Sequence, residues 1–451
     1  MHNLVTHKAV RTAEHHALAN QTEPDQLMRR AAHHIAETAR TLTTGRRIHI
    51  YVGPGGNGGD GLYAGAELAA DYDVTAELTA GKAHERALAA FRHAGGRVSE
   101  YAAMPDLVID AIAGLGSDPT RPHPAMPADV PVLAVDIPTG TGGPNAVHAE
   151  CTVTFAGVME AHAYNHNCGT LVVADVGLRP ETTGALYTRV LNPGPNVHLD
   201  DNFEPGAADN KYTGGVVGII AGSETYPGAS LLSQLGALHT TPAMVRAVGA
   251  PAAPEVVAAP TLDRLGQCQA YVYGPGRGQR PGELADLLDT DLPLLLDADA
   301  ITTLAHNPDL RARLSSRDAA TVLTPHGGEF ARLSPLDDDR RACTEALATE
   351  LGATVVLKGR TTTVASPGQP TTLIDAGHSW SATPGSGDVL SGCIGALLAR
   401  YGDPHQAATA GVQLHALASW LSAATAYGPG PTTASNIAAH LPDAIALATH
   451  H

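Results

Sequence analysis

One pattern runs through most of this chain. A short apolar run is followed by a glycine-rich loop and then by a stretch with helical spacing. The first half carries the runs "RIHIYV", "VTAELTA", "DLVIDAI", "PVLAVDI", "TVTFAG" and "TLVVADV". The second half carries "GVVGIIAG", "QAYVYG", "LPLLLDAD", "TVLTP" and "TVVLKG". Such alternation predicts β-α-β units built around parallel sheets. Ligands of open α/β sheets bind beyond the carboxyl ends of the strands, so the glycine loops are where function is sought. Residues 9–45 read as one or two helices, and two late helices begin near Gly385 and Pro404. The rhythm breaks over residues 191–215, where Pro, Gly, Asn and Asp dominate. A boundary near residue 200 follows, giving domains 1–200 and 201–451. The 451 residues suit two or three domains at roughly 100–200 residues each.

Composition narrows the functions. Apolar residues make up 43% of the chain and aromatics only 4%, so the cores are expected to be built from Ala, Val, Leu and Ile. A formal charge of −17 argues against non-specific binding to nucleic acid or anionic membranes. The five cysteines (151, 168, 268, 343, 393) show no C-x-x-C pairing, which fits a reducing cytoplasm. The first residues, "MHNLVTHKAV", lack a basic-then-apolar signal, and no apolar run approaches the ~18 residues of a membrane span. Histidine is frequent, but "EHHAL" and "AAHHIA" place the pairs side by side, on different helix faces, and a metal site is not expected there.

In the second half, "ATPGSGDVLSG" sets Gly385-Ser-Gly-Asp388 before a plausible helix. Backbone N–H groups at a helix start hold anions, so Asp388 there suits a base that deprotonates a hydroxyl while the turn stabilises a phosphoryl group. The plain structural alternative is an ordinary first-turn Asp. "GPGRG" (274–278), "LDADA" (296–300), "LTPHGGEFARL" (323–333) and "VVLKGRTTTVA" (355–365) each follow or end a run. Taken alone, Lys358 reads as a surface charge at a strand end and His326 as a capping turn residue. In their joint order these motifs resemble the ribokinase-like family, more narrowly the ADP- or ATP-dependent NAD(P)H-hydrate dehydratases, across nearly all of residues 205–450. The resemblance implies a dinucleotide hydrated at ring C6, phosphorylation of that hydroxyl by ADP or ATP, and loss of phosphate to restore NADH or NADPH. It implies Asp388 as base, Ala229, Gly276, His326 and Asp388 on the hydrated dinucleotide, and Lys358, Gly359, Arg360, Thr361, Thr362 and Gly387 on the nucleotide. Magnesium is expected with the nucleotide phosphates.

In the first half, Gly53, Gly55 and Gly58 of "GPGGNGGDG" fit the dinucleotide fingerprint G-x-G-x-x-G. Together with "DLVIDAIAGLG", "PVLAVDIPTG" and "HAECTVTFAG", the loop resembles the NAD(P)H-hydrate epimerase family over about residues 10–190. That resemblance implies a Rossmann-like three-layer fold in which the dinucleotide is substrate, its two C6 epimers being interconverted. It places substrate on Gly56, Asn57, Gly58, Gly59 and Asp60 and on Gly114, Leu115, Gly116, Ser117, Asp118, Pro119 and Thr120. Asp136 becomes a further substrate-binding residue, as the acid/base candidate or a key hydrogen-bond partner, and Asn57, Asp110 and Thr139 the potassium ligands, their oxygens suiting a hard cation. Both aspartates have a plainer reading, as turn-forming strand ends. The chain departs from the family at Gly56, where Asn is usual, and at Val158-Met159-Glu160-Ala161, where Lys-Pro is common.

The expectation is an α/β protein with a Rossmann-like N-terminal domain and a ribokinase-like C-terminal domain. It acts on small molecules in the cytoplasm, binds neither nucleic acid nor membrane, and forms a homo-oligomer, a tetramer or larger. Three alternatives stay open: a ribokinase-like small-molecule kinase, a dehydratase with a non-catalytic N-terminal domain, and a nucleotide-sensing binding protein. A plain NAD-dependent dehydrogenase leaves the phosphoryl-transfer motifs unexplained.

Overall fold

The computed structural model describes residues 1–192, 194–249 and 252–449. The chain forms two compact units, Met1–Gly184 and Ala185–His451. The division falls ahead of the Pro- and Gly-rich stretch expected to mark it near residue 200. Residues up to Arg189 belong to a strand whose end pairs with Thr372–Asp375 (Leu186 with Thr372, Arg189 with Asp375), and backbone pairing outweighs loop composition.

The first unit holds a sheet in the order 97–98, 73–78, 47–52, 107–111, 132–135, 151–155, 170–174, every neighbouring pair parallel. Successive residues point to opposite faces. Ile48, Ile50 and Val52 enter one core with Ile109 and Leu133, while Tyr51, Val108 and Ala134 enter a second core across the sheet. The helices His7–Asn20 and Gln26–Leu42 divide the segment read as one or two helices. From Arg47–Val52 the chain builds outward in one direction to Asp73–Leu78 and then in the other from Leu107–Ala111. The crevice where that direction reverses lies between the loops that follow 47–52 and 107–111, which is where an α/β sheet binds ligands.

In the second unit the order runs from Ala185–Arg189 through 372–375, 361–365, 354–357, 321–323, 294–296, 270–273, 217–220 and 245–248 to 257–259. The pairs from 354–357 to 257–259 are parallel, and the two pairs made by 361–365 are antiparallel. Here the reversal falls between Val217–Ile220 and Ala270–Tyr273. Leu295, Val322 and Val356 pack into one core, and Leu294, Leu323 and Val355 into the other. The helix Ser386–Tyr401 docks closely on Pro227–Leu238. A Cβ on Gly236 would stand 2.2 Å from the Val389 carbonyl, and one on Gly392 1.9 Å from that of Ser233. This fixes the start of the later helix over the carboxyl edge of the sheet. After the two late helices read from sequence come two short ones, Ala434–Ala439 and Leu441–Thr449. Among the described residues no helix is long and apolar enough to cross a membrane.

Candidate active sites

In the first unit, Gly53 N–H donates to the Ala111 carbonyl at 2.9 Å. A Cβ on Gly53 would lie 1.7 Å from the Ile112 carbonyl oxygen, and one on Gly58 2.0 Å from that of Gly53. These two fingerprint glycines are therefore required by backbone packing at the crevice. Gly55 and Gly56 instead border open space and line a pocket of about 580 Å³. A side chain at Gly56, where the resemblance expects Asn, would have room.

Asn57, Asp60, Gly114–Ser117 and Asp136 share that pocket. Asn57 donates from Nδ2 to the Val135 carbonyl at 3.0 Å, leaving its amide oxygen for another partner. Asp136 sits at φ 68°, and its Oδ2 accepts the Leu115 N–H at 3.0 Å. Its carbonyl lies 2.8 Å from Nε2 of buried His162, whose basicity is lowered by burial against the pull of Asp136. Asp60 is pushed well above the usual carboxylate range, first by burial and then by the charges of Asp136 and Glu14. Gly58, Gly59, Asp118, Pro119 and Thr120 do not line the pocket. Gly59 packs on Met28, and Asp118 closes a turn by accepting from Thr120 N and Oγ1 at 2.9 and 2.7 Å. The stretch that departs from Lys-Pro contributes Met159 to the wall, an apolar group.

Asp110 and Thr139 meet through hydrogen bonds between the strand Leu107–Ala111 and the loop after Val132–Val135. Asp110 is 1% exposed and accepts Thr139 N at 2.8 Å, Thr139 Oγ1 at 2.7 Å and Ile112 N at 3.3 Å. Burial raises its pKa in spite of those hydrogen bonds. Because Thr139 spends its proton on Asp110, its oxygen keeps lone pairs. Asp110, Thr139 and the Asn57 amide each offer oxygen donors, the chemistry that suits a hard cation.

In the second unit, each expected motif ends at the same sheet edge. Ala229 and Gly276 adjoin across the reversal point: a Cβ on Gly276, at φ 59°, would stand 2.8 Å from that of Ala229. Gly222 N–H donates to the Pro275 carbonyl at 2.7 Å and ties the two loops together. Lys358 Nζ lies 2.9 Å from Asp297 Oδ1 and 3.9 Å from Glu329 Oε2. Burial works against its charge, but Asp297, Glu329 and Asp388 outweigh this and hold its pKa above the usual value. Ser391 Oγ donates to the other Asp297 oxygen at 2.7 Å. Asp388, in the first turn of Ser386–Tyr401, is raised from its ordinary 3.8 to about 7 by burial and by Asp297, against the pull of Lys358. A Cβ on Gly387 would stand 3.5 Å from Lys358 Nζ. Acid, ammonium and helix N-terminus thus converge.

A cavity of about 320 Å³ opens beside them, lined by His326, Lys358, Gly359, Arg360, Thr362 and Gly387 among others. Thr361 is buried in the strand Thr361–Ala365 and does not line it. His326 caps the helix Gly327–Leu333, its Nδ1 accepting from Gly328 N and Glu329 N at 3.0 and 3.3 Å. The capping role leaves 57% of its side chain exposed. Sequence reading missed His415, which lines the cavity with Nε2 3.0 Å from Ser386 Oγ and is kept neutral by burial, its pKa lowered to about 4. It also missed that Asp297 of "LDADA" partners Lys358, and that Glu14 faces the first pocket. These pairings span elements distant in sequence and leave no local signal. Among the described residues no group of three or more His, Cys, Asp or Glu is arranged to hold a metal.

Fold and sequence define a class: a two-domain α/β enzyme, one unit Rossmann-like and the other ribokinase-like in fold. Residues 24–161 match the family described as YjeF-related protein N-terminus, and residues 217–442 the NAD(P)H-hydrate dehydratase family. The chain is 47% identical to a bifunctional NAD(P)H-hydrate repair enzyme of Mycobacterium tuberculosis, over 86% of this chain and 88% of that one. It is 44% identical to the counterpart from Mycobacterium leprae, over 97% of this chain and 98% of the other. The chain belongs to the bifunctional NAD(P)H-hydrate repair enzyme family. A crystal structure of a ribokinase-like superfamily protein from Enterococcus faecalis aligns with a TM-score of 0.51 at 23% identity, over 60% of this chain and 99% of that one, a likeness of fold.

Proposed function

We propose that the chain repairs nicotinamide dinucleotides hydrated at ring C6, the first unit interconverting the R and S hydrates and the second dehydrating the S form with ADP or ATP. The observation that carries the dehydratase reading is Asp388, a carboxyl raised to about 7 at a helix start beside Lys358. A base near neutral pKa takes the C6 hydroxyl proton efficiently at physiological pH. The hydroxyl oxygen then attacks the terminal phosphorus, the bridging P–O bond breaks and AMP or ADP leaves with its electron pair, while the Gly385–Asp388 turn and Lys358 hold the phosphoryl charge. Phosphate departs with the C6–O electron pair as the ring nitrogen supplies its own, and loss of a C5 proton restores the C5–C6 double bond. Ala229, Gly276 and His326 hold the dinucleotide, and Lys358–Thr362 with Gly387 hold the nucleotide. Magnesium enters with the phosphates, which needs no all-protein cage.

In the first unit, Gly56–Asp60 and Gly114–Thr120 hold the hydrate and Asp136 exchanges its proton. Asn57, Asp110 and Thr139 hold potassium, which supplies positive charge near the substrate. The resemblance extends to a cytoplasmic homo-oligomer of four or more copies, checked by light scattering and cell fractionation. The decisive experiment mixes the protein with hydrated NADH or NADPH and either ADP or ATP, and follows the near-ultraviolet absorbance of reduced nicotinamide. Recovery with a nucleotide and none without it is expected. No recovery with either nucleotide refutes the dehydratase reading.

A further inference from the structure

Glu14 lies on the helix His7–Asn20, ahead of the residues 24–161 that match the N-terminal family. It nevertheless lines the 580 Å³ pocket together with Asp60 on the helix Gly56–Leu68 and Asp136 after the strand Val132–Val135. Three carboxyls from three separate elements therefore face one cavity that also contains the glycine loop and the Gly114–Ser117 loop. The positive groups near Glu14 are His7, Arg11 and His15 on its own helix, and Arg121 lines another part of the wall. Burial, then the Asp136 charge, push the Glu14 carboxyl above its ordinary 4.5 despite these neighbours. Three close carboxylates cannot all ionise without strong mutual repulsion, so the pocket retains protons where an isolated acid would have lost them. Asp136 is the member tied to a backbone donor, its Oδ2 accepting the Leu115 N–H at 3.0 Å.

We propose that Glu14 is a proton-transfer residue of the epimerase site, sharing a donor proton with Asp60 while Asp136 acts as the acceptor. This rests on the epimerase reading of the first unit. Inverting C6 requires its C–O bond to break and re-form on the other face. The bonding pair leaves on oxygen, the ring-nitrogen lone pair forms the C6=N1 iminium, and a protonated carboxyl supplies the hydrogen that makes the leaving group water. Water then adds to the opposite face, the nitrogen recovers its pair, and the surplus proton passes to a carboxylate. One proton is given and one is taken, so no co-reactant is needed. The cycle requires one carboxyl with its proton and one without at the same pH, the arrangement produced when neighbouring acids push each other's pKa values apart.

The test uses the full chain, the R hydrate of NADH and no nucleotide, and follows R-to-S exchange by chromatography from about pH 6 to about pH 9. Activity of the wild type is expected to fall as pH rises through the donor pKa. Glu14→Gln is expected to lower exchange by about 100-fold and to remove that alkaline limb, with Glu14→Asp restoring part of both. Dehydration of the S hydrate with ADP or ATP by the same samples is expected to match wild type, and thermal unfolding that matches wild type reports that the first unit folds as well. Exchange by Glu14→Gln within about twofold of wild type, with the same pH profile, overturns the inference and leaves the epimerase reading intact. Loss in both variants with an unshifted residual profile marks a structural role and overturns it too. A wild type no faster than buffer refutes the epimerase reading and the inference with it.

Discussion

Replacing Asp388 by Asn is expected to abolish dehydration and, at the same time, to stabilise the protein at alkaline pH. The unfolded carboxyl ionises near its ordinary 3.8 and the folded one near 7. Between those values the folded state binds a proton that the unfolded chain has released, so stability falls as pH rises. Above about 7 both states are ionised and the full cost persists. A shift of roughly three units corresponds to about 4 kcal/mol at 1.36 kcal/mol per unit. Partial solvent access and relaxation of Asp297 and Lys358 reduce this to about 2 kcal/mol. Asn keeps the shape and discards the charge. Thermal unfolding of wild type and Asp388→Asn at about pH 5 and pH 8 should show the variant gaining more at the higher pH. In parallel, wild-type kcat/KM should drop about tenfold per pH unit below 7, the mark of a base that must be ionised. A variant with equal stability gain at both pH values, or a wild-type rate flat from about pH 5 to pH 8, would refute the assignment of a raised, working carboxylate.

Three further outcomes follow from the geometry. Lys358→Met leaves Asp297 buried without its cation, so a loss of about 3 kcal/mol in denaturant unfolding is expected, along with a rise of at least about tenfold in the KM for nucleotide. Gly53→Ala sets a methyl against the Ile112 carbonyl, 1.7 Å away before relaxation; the variant should lose at least about 2 kcal/mol, or fail to fold in its first unit, as read by circular dichroism. Potassium chloride should raise the melting temperature of the wild type above that in matched sodium chloride. Asp110→Asn should remove the difference, because it discards the only charge of the donor set and turns an amide NH2 toward N–H donors.

Much of this protein was legible in one dimension. Alternating apolar runs and glycine loops determined two α/β sheets, one parallel and the other parallel except around Thr361–Ala365, because short-range periodicity is written residue by residue. The motifs around Asp388, Lys358, His326 and the GPGGNGGDG loop marked the strand ends at which the proposed chemistry is placed, since each motif is a local turn with its own backbone demands. Tertiary structure decided the rest. It assigned Gly53 and Gly58 to backbone packing and left Gly55 and Gly56 facing open space. It divided the chain into compact units after Gly184, because strand pairing is non-local. It paired Lys358 with Asp297, set His415 under Ser386 and turned Glu14 toward Asp60 and Asp136. Burial and the charges of neighbours distant in sequence set a carboxyl's proton affinity, and neither is encoded at the carboxyl's own position. The sequence thus placed the acids along the chain, and only the folded chain decided which of them hold their protons more tightly than an isolated acid would.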